Sequence, residues 1–329
     1  MINITIRSRA RGAMAGLAIG DALGRPVEGL LAAEIQERFG RVEGYVSDEP
    51  AGSDDTEYAL LSAKTVLEYG IDATSSDFAH VWRTDVLPQA DDFKGGGFSE
   101  MAAIDNLRRG VEPPLTGDHM HAWSDGLAMR VAPLGIVANG QVDIARRLAI
   151  ADGMVSHAGE GIHAGVVVAV AVTAAMAGAN AEECFQAGLD AIPADSWTAR
   201  NLEAARELVA RGGSPAELAI AIHDRMVVPD YFWADLAPEA VGIAMAGVLA
   251  GDGDFASSVL FAVNIGRDAD TNAAIAGAIC GALRGLEGIP SDWVAQLRPV
   301  EGSCIRSVAG IHPLDTAELL IDLVEGTSR

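Results

Sequence analysis

Small residues recur every fourth position in two parts of this chain, at Gly12, Gly16 and Gly20 and again at Ala273, Gly277, Gly281 and Gly285. Positions four apart share one face of a helix, so each run would present a smooth stripe that lets a neighbouring backbone approach closely. Aromatic residues make up only 5% of the chain, so close packing has to come from such stripes rather than from large side chains. Apolar residues at helical spacing continue through 7–22, 32–39, 77–84, 101–109, 127–134 and 143–151. They resume over 157–179, 181–192, 198–211, 215–224, 237–250 and 255–264. No repeat or low-complexity linker interrupts them, which predicts an all-α fold, a single compact multi-helix bundle formed by one domain over residues 1–329.

The second stripe is preceded by Asp268-Ala269-Asp270-Thr271-Asn272, which places two carboxylates in the turn that opens a buried helix. A helix N-terminus offsets one such charge by roughly 0.3 to 1 kcal/mol, too little for a group packed against an apolar element. A cation would complete the balance. Asp268, Asp270 and Asn272 match the first, third and fifth positions of an EF-hand, but Ala273 and Ile279 stand where that loop needs Gly and a bidentate Glu. The donor set must therefore be finished elsewhere. Gly52-Ser53-Asp54-Asp55-Thr56-Glu57 has the same design, and an acidic N-cap is the ordinary explanation of either cluster alone. Together Ser53, Asp54, Asp55, Asp268, Asp270 and Thr271 offer hard oxygen donors suited to Mg, Mn or Ca, with four carboxylates to neutralise two divalent ions.

Four ordered motifs carry a family resemblance: Gly16-Leu17-Ala18-Ile19-Gly20-Asp21-Ala22-Leu23-Gly24-Arg25-Pro26-Val27-Glu28, Ser53-Asp54-Asp55-Thr56, Asp125-Gly126-Leu127-Ala128-Met129-Arg130, and Asp268-Ala269-Asp270-Thr271-Asn272. In these the chain resembles the ADP-ribosylglycohydrolases. The resemblance implies a hydrolase that cleaves the glycosidic bond between ADP-ribose and an acceptor, a protein side chain or a small molecule, at two divalent cations, Mg2+ or Mn2+. It implies catalytic roles for Glu28, Asp55 and Asp270, and metal ligation by Ser53, Asp54, Asp55, Asp268, Asp270 and Thr271. It further implies substrate contacts from Gly96, Gly97, Ser124, Asp125, Gly126 and His157. Arg267 departs from the family's usual Gly, and a guanidinium there would reach a substrate phosphate. The alternatives are a smaller ribosyl or nucleoside-like substrate and a non-catalytic ADP-ribose-binding member.

The formal charge of −23 argues against nucleic acid, whose phosphates are bound by Lys and Arg. The most apolar run, 164–179, falls short of the roughly 20 residues a bilayer span needs, so no membrane partner is expected. Cys184, Cys280 and Cys304 are scattered and odd in number, which suits reduced thiols of a cytoplasmic protein, a monomer or small homo-oligomer. Three glycines, 95–97, precede a helix and suit either a turn or a phosphate cradle. Tyr231-Phe232-Trp233 suits either stacking on a base or filling core, with core the expectation.

Overall fold

A computed structural model describes residues 4–89 and 96–327. The first helices are α1 (Ile6–Gly24), α2 (Ala32–Phe39), α3 (Asp54–Tyr69) and α4 (Ser75–Val81). Next come α5 (Phe98–Arg108), α6 (Ala132–Ala138), α7 (Val142–Ser156), α8 (Glu160–Met176), α9 (Ala181–Asp190) and α10 (Trp197–Arg211). The remainder are α11 (Pro215–Met226), α12 (Ala237–Ala250), α13 (Phe255–Ile265), α14 (Ala269–Arg284), the short α15 (Ser291–Val294) and α16 (Pro313–Thr327). Their starts follow local chemistry. Side chains of Thr5, Ser53, Asn180, Ser196, Ser214 and Asp254 each accept a first-turn N–H. The helix expected over 127–134 begins later, at Ala132, because Pro133 suits the first turn of a helix and residues before it form turns.

The two small-residue stripes face each other. A Cβ on Gly12 would overlap the carbonyl of Gly281, one on Gly16 that of Gly277, and one on Gly20 that of Ala273. The seam ends with Gly24 against Ala269 and Asp270. Each step of four forward on α1 is a step of four back on α14, so the pair runs antiparallel with backbones in direct contact. Glycine inside a helix costs about 1 kcal/mol against alanine. That cost is accepted along α1 because any larger residue would separate the pair.

Around this pair pack the buried α8, α12 and α13, and α16 covers α1 from the far end of the chain through Arg7, which bridges Glu318, Asp322 and Glu325. No reading of the sequence placed a helix at 313–327. Among the described residues there are no strands, only two isolated antiparallel bridges, Leu31 with Gly266 and Ser124 with Leu236. Both bridges clip loops at one end of the bundle. No helix of the described residues is long and apolar enough to cross a membrane.

Gly277→Val should cost about 3 kcal/mol by forcing α1 from α14, whereas Gly326→Ala, in the last turn of α16 with its Cβ in open space, should leave stability unchanged or raise it by up to about 1 kcal/mol. Urea denaturation of the two variants measures this. Equal midpoints would mean that the seam is not a rigid contact.

Candidate active site

Where the seam ends, the N-termini of α3, α5 and α14 surround a cavity of about 510 Å3. Both acidic turns open into it. Asp54, Asp55, Asp268, Asp270, Ser53 and Thr271 all line it, and the Thr271 hydroxyl donates to Asp55 Oδ1 at 3.2 Å across 216 residues of sequence. Glu28 stands at the mouth, on a loop tied to the residues before α14. Gly29 N–H donates to Arg267 O at 2.8 Å and Arg267 N–H to Leu30 O at 2.7 Å.

The turn that carries Ser53 to Thr56 is held by Asp21, buried on α1. Its carboxylate accepts Ser53 N–H at 2.8 and 2.9 Å, Thr56 N–H at 3.2 Å and the Thr56 hydroxyl. Glu57, one turn on, accepts the N–H groups of Ser303, Cys304 and Ile305 at 2.8, 2.8 and 2.6 Å, and so brings Ser303 and Cys304 to the cavity wall. Beneath the floor, fully buried Arg130 spans Asp152 at 2.9 Å and Glu100 at 3.2 Å, and donates to Ser156 Oγ at 2.8 Å. Trp82 and Tyr58 stack near its guanidinium.

These supporting acids are satisfied by hydrogen bonds. Four acids of the cavity wall are not. Asp55 Oδ2, Asp270 Oδ1, Asp125 Oδ2 and Asp235 Oδ1 are buried without a hydrogen-bond partner, an arrangement that costs about 1–3 kcal/mol for each group. Burial, then Asp270 and its neighbours, pushes Asp55 well above the usual carboxylate range. Burial and Asp268 do the same to Asp270. Burial and the charge of Asp125 push Asp268 up likewise. Burial, with the charges of Asp54 and Asp21, raises Glu28.

No group of three or more acid, His or Cys side chains among the described residues is gathered as a ready metal cage. Fit therefore rests on the donor set, which is all hard oxygen and holds two unpartnered carboxylate oxygens on opposite turns, Asp55 and Asp270. On that chemistry the residues suit divalent cations.

Of the other expected residues, Gly96, Gly97, Ser124, Asp125 and Gly126 line the cavity. Residues 91–95 of the glycine-rich loop lie outside the described residues. Gly96, at φ 94°, takes a backbone conformation that favours glycine. His157 lies below, its Nε2 3.0 Å from Ser124 Oγ and its Nδ1 2.8 Å from Ser156 Oγ. Burial, then Arg130 and His119, keeps it well below the usual histidine range and hence neutral. It acts on the cavity through Ser124.

Two expectations are corrected. Arg267 does not line the cavity: its Nε donates to Glu239 at 2.6 Å and its Nη2 to the carbonyls of Val228 and Tyr231, so the guanidinium is spent inside the fold. At φ 63° it pays a left-handed backbone where glycine would be free, and the buried Glu239 partner offsets that. Tyr231-Phe232-Trp233 is not core. Phe232 is 86% exposed, and Trp233, 47% exposed, joins the cavity wall beside Phe98. The sequence reading also missed Asp21, Glu100, Asp235 and Ser303. Asp21 was signalled by a lone charge inside an apolar stripe and Asp235 by an acid just after an aromatic run, whereas Ser303 carried no signal.

A protein-family model described as ADP-ribosylglycohydrolase matches residues 3–325. An uncharacterized protein of Archaeoglobus fulgidus is 33% identical over 310 residues, covering 90% of this chain and 93% of that protein. ADP-ribosylarginine hydrolase Tri1 of Pseudomonas putida is 27% identical over 296 residues, covering 88% and 74%. A solved ADP-ribosylglycohydrolase-related protein complex superposes with a TM-score of 0.67 at 27% identity, covering 97% of this chain and 98% of that one.

Asp21, held at about 6 by burial, and the higher Asp55 and Asp270 bind protons in the folded chain that the unfolded chain releases near pH 4. Between those values only the folded state keeps the proton, so stability falls as pH rises through the window. The melting temperature in EDTA should therefore drop from about pH 4 to above about 6, and Mg2+ or Mn2+ at neutral pH should restore several degrees. A melting temperature indifferent to both would remove these acids from any cation site.

Proposed function

Because the chain belongs to the ADP-ribosylglycohydrolase family, hydrolases of ADP-ribose glycosyl bonds, we propose that this cavity releases ADP-ribose from an ADP-ribosylated protein or a small ADP-ribose conjugate. One observation carries the reading: Asp55 and Asp270, from opposite ends of the sequence, turn unpartnered buried oxygens into one cavity below Glu28. Acids that cost stability in this way are kept for a ligand.

Ser53, Asp54, Asp55, Asp268, Asp270 and Thr271 would hold two divalent cations, Mg2+ or Mn2+, through oxygen donors. When bound, these supply positive charge that orients ribose hydroxyls and acidifies water. Everything else falls to the chain. Glu28, raised by burial and its acidic neighbours, takes the proton of the attacking water. The water oxygen bonds to the anomeric carbon as the bond to the acceptor breaks; the acceptor leaves with the bonding pair and takes up the proton that Glu28 accepted, directly or through solvent, and nearby carboxylates stabilise the oxocarbenium-like transition state. Gly96 and Gly97, with Gly97 as the N-cap of α5, would offer backbone at the cavity wall to a diphosphate. Ser124, steadied by neutral His157, donates from the floor.

Glu28→Gln should lower kcat/KM by about 10²-fold or more, and Asp55→Asn and Asp270→Asn should lose both activity and the cation-dependent rise in melting temperature. Release of ADP-ribose from an ADP-ribosylated peptide, followed by mass spectrometry with and without EDTA, measures this. Undiminished release by all three variants in EDTA would overturn the reading.

A further inference from the structure

Arg267 joins three segments that border the cavity, yet it lines none of that cavity itself. Its backbone serves the first two. It directly precedes Asp268 of the acidic turn, and it exchanges hydrogen bonds with the Glu28 loop, Gly29 N–H donating to its carbonyl and its own N–H to Leu30 O. Its side chain serves the third segment, the 227–236 loop between α11 and α12, which carries Trp233 and Asp235 to the cavity wall. The far end of that loop is clipped by the bridge between Ser124 and Leu236, with Asp125 N–H donating to Asp235 O at 3.0 Å. The near end is a turn in which Tyr231 N–H donates to Val228 O at 3.0 Å. Arg267 Nη2 donates to both carbonyls of this turn, Val228 at 3.4 Å and Tyr231 at 3.1 Å.

Buried Glu239 on α12 holds the guanidinium from the other side. Its Oε1 accepts Arg267 Nε at 2.6 Å and its Oε2 accepts Val228 N–H at 2.9 Å, so guanidinium, carboxylate and turn close a ring of charge-assisted hydrogen bonds. Among the described residues, no other side chain from outside the loop hydrogen-bonds to residues 229–234. Beyond the turn the wall is held by ring contacts alone, Trp233 resting on Phe98 and His121 with centroids 5.1 and 5.8 Å apart. The task suits a planar fork, because Nε and Nη2 must donate to different partners at once. A lysine ammonium is a single point of charge and cannot span them.

We infer that Arg267 is a positioning residue that latches the aromatic wall at Trp233 to the acidic turn at Asp268, and so sets how tightly the cavity holds a conjugate without touching it; the inference rests on the hydrolase reading above. Glu28 and the acids lie on segments that the Arg267 backbone ties, whereas the wall depends on its side chain. A wall that meets substrate and transition state alike contributes uniform binding, so losing the latch raises KM and spares kcat. The charge of Arg267 also acts on Asp235. Arg267→Lys preserves that charge and loses the fork, which separates the two routes.

Arg267→Gly tests the latch, since glycine suits φ 63° and keeps both backbone bonds to the Glu28 loop. Hydrogen exchange followed by mass spectrometry should show residues 230–234 of this variant exchanging at least about tenfold faster than in the parent, with the start of α3 unchanged. Its KM for an ADP-ribosylated peptide should rise at least about tenfold while kcat stays within about threefold. Trp233→Ala should raise KM likewise, and the double variant should be no worse than the poorer single one, because the two residues act as a unit. Arg267→Lys should keep a raised KM, and Glu239→Gln, which leaves the fork its two carbonyls, should keep a KM near that of the parent even as its melting temperature falls. Additive losses in the double variant, full rescue by Arg267→Lys or unchanged exchange in Arg267→Gly would each overturn the inference. Should Arg267→Gly fail to fold, Arg267→Lys and Glu239→Gln still decide: a parental KM in the first, or a raised KM in the second, would leave no latch. A parent that releases no ADP-ribose ends the hydrolase reading, while the exchange of residues 230–234 still judges the latch.

Discussion

The antiparallel contact of α1 with α14 is the constraint on which the rest of the molecule depends. Gly12, Gly16, Gly20 and Gly24 leave no side chain between the two backbones, so the relative height of the helices is fixed to within a fraction of a residue. That contact delivers Asp270 to one side of the cavity while Asp21, on the same α1, holds the turn that delivers Asp55 to the other. A seam cushioned by leucines would tolerate sliding, since flexible side chains can repack. Backbone against backbone cannot, and the acids inherit that rigidity.

Buried acids in this protein fall into two kinds, and hydrogen bonding separates them. Asp21, Glu57 and Asp152 are enclosed by N–H groups, hydroxyls or a guanidinium, and their work is to fix loops and helix ends. Asp55, Asp125, Asp235 and Asp270 each keep an oxygen that the fold does not satisfy. The first kind has its oxygens bonded within the chain, whereas the second stores an unfavourable term that a ligand can relieve. Burial alone would not distinguish them.

Much of this was legible in local pattern. Helical spacing located most of the elements, and the two acidic turns could be identified because charge before an apolar stripe is locally inconsistent. The limits were equally physical. The Tyr231 to Trp233 run has the composition of a core segment, yet Phe232 is exposed and Trp233 joins the cavity, because the loop is pinned by the Ser124 bridge rather than by its own apolarity. Arg267 looked like a phosphate contact because its neighbours in sequence are site residues. Its side chain instead answers Glu239, which is distant in sequence and close only in the fold.

The sequence by itself determined what is written in near neighbours: helix positions, the stripes that demand close packing, and the kinds of oxygen donor available at each acidic turn. These follow from backbone geometry and side-chain chemistry over a few residues. Only the tertiary structure decided which stripe meets which, that Asp235 joins Asp125, and which carboxylates remain unpartnered. Those outcomes depend on contacts between residues far apart in the chain, and whether a polar atom is satisfied is a property of everything packed around it.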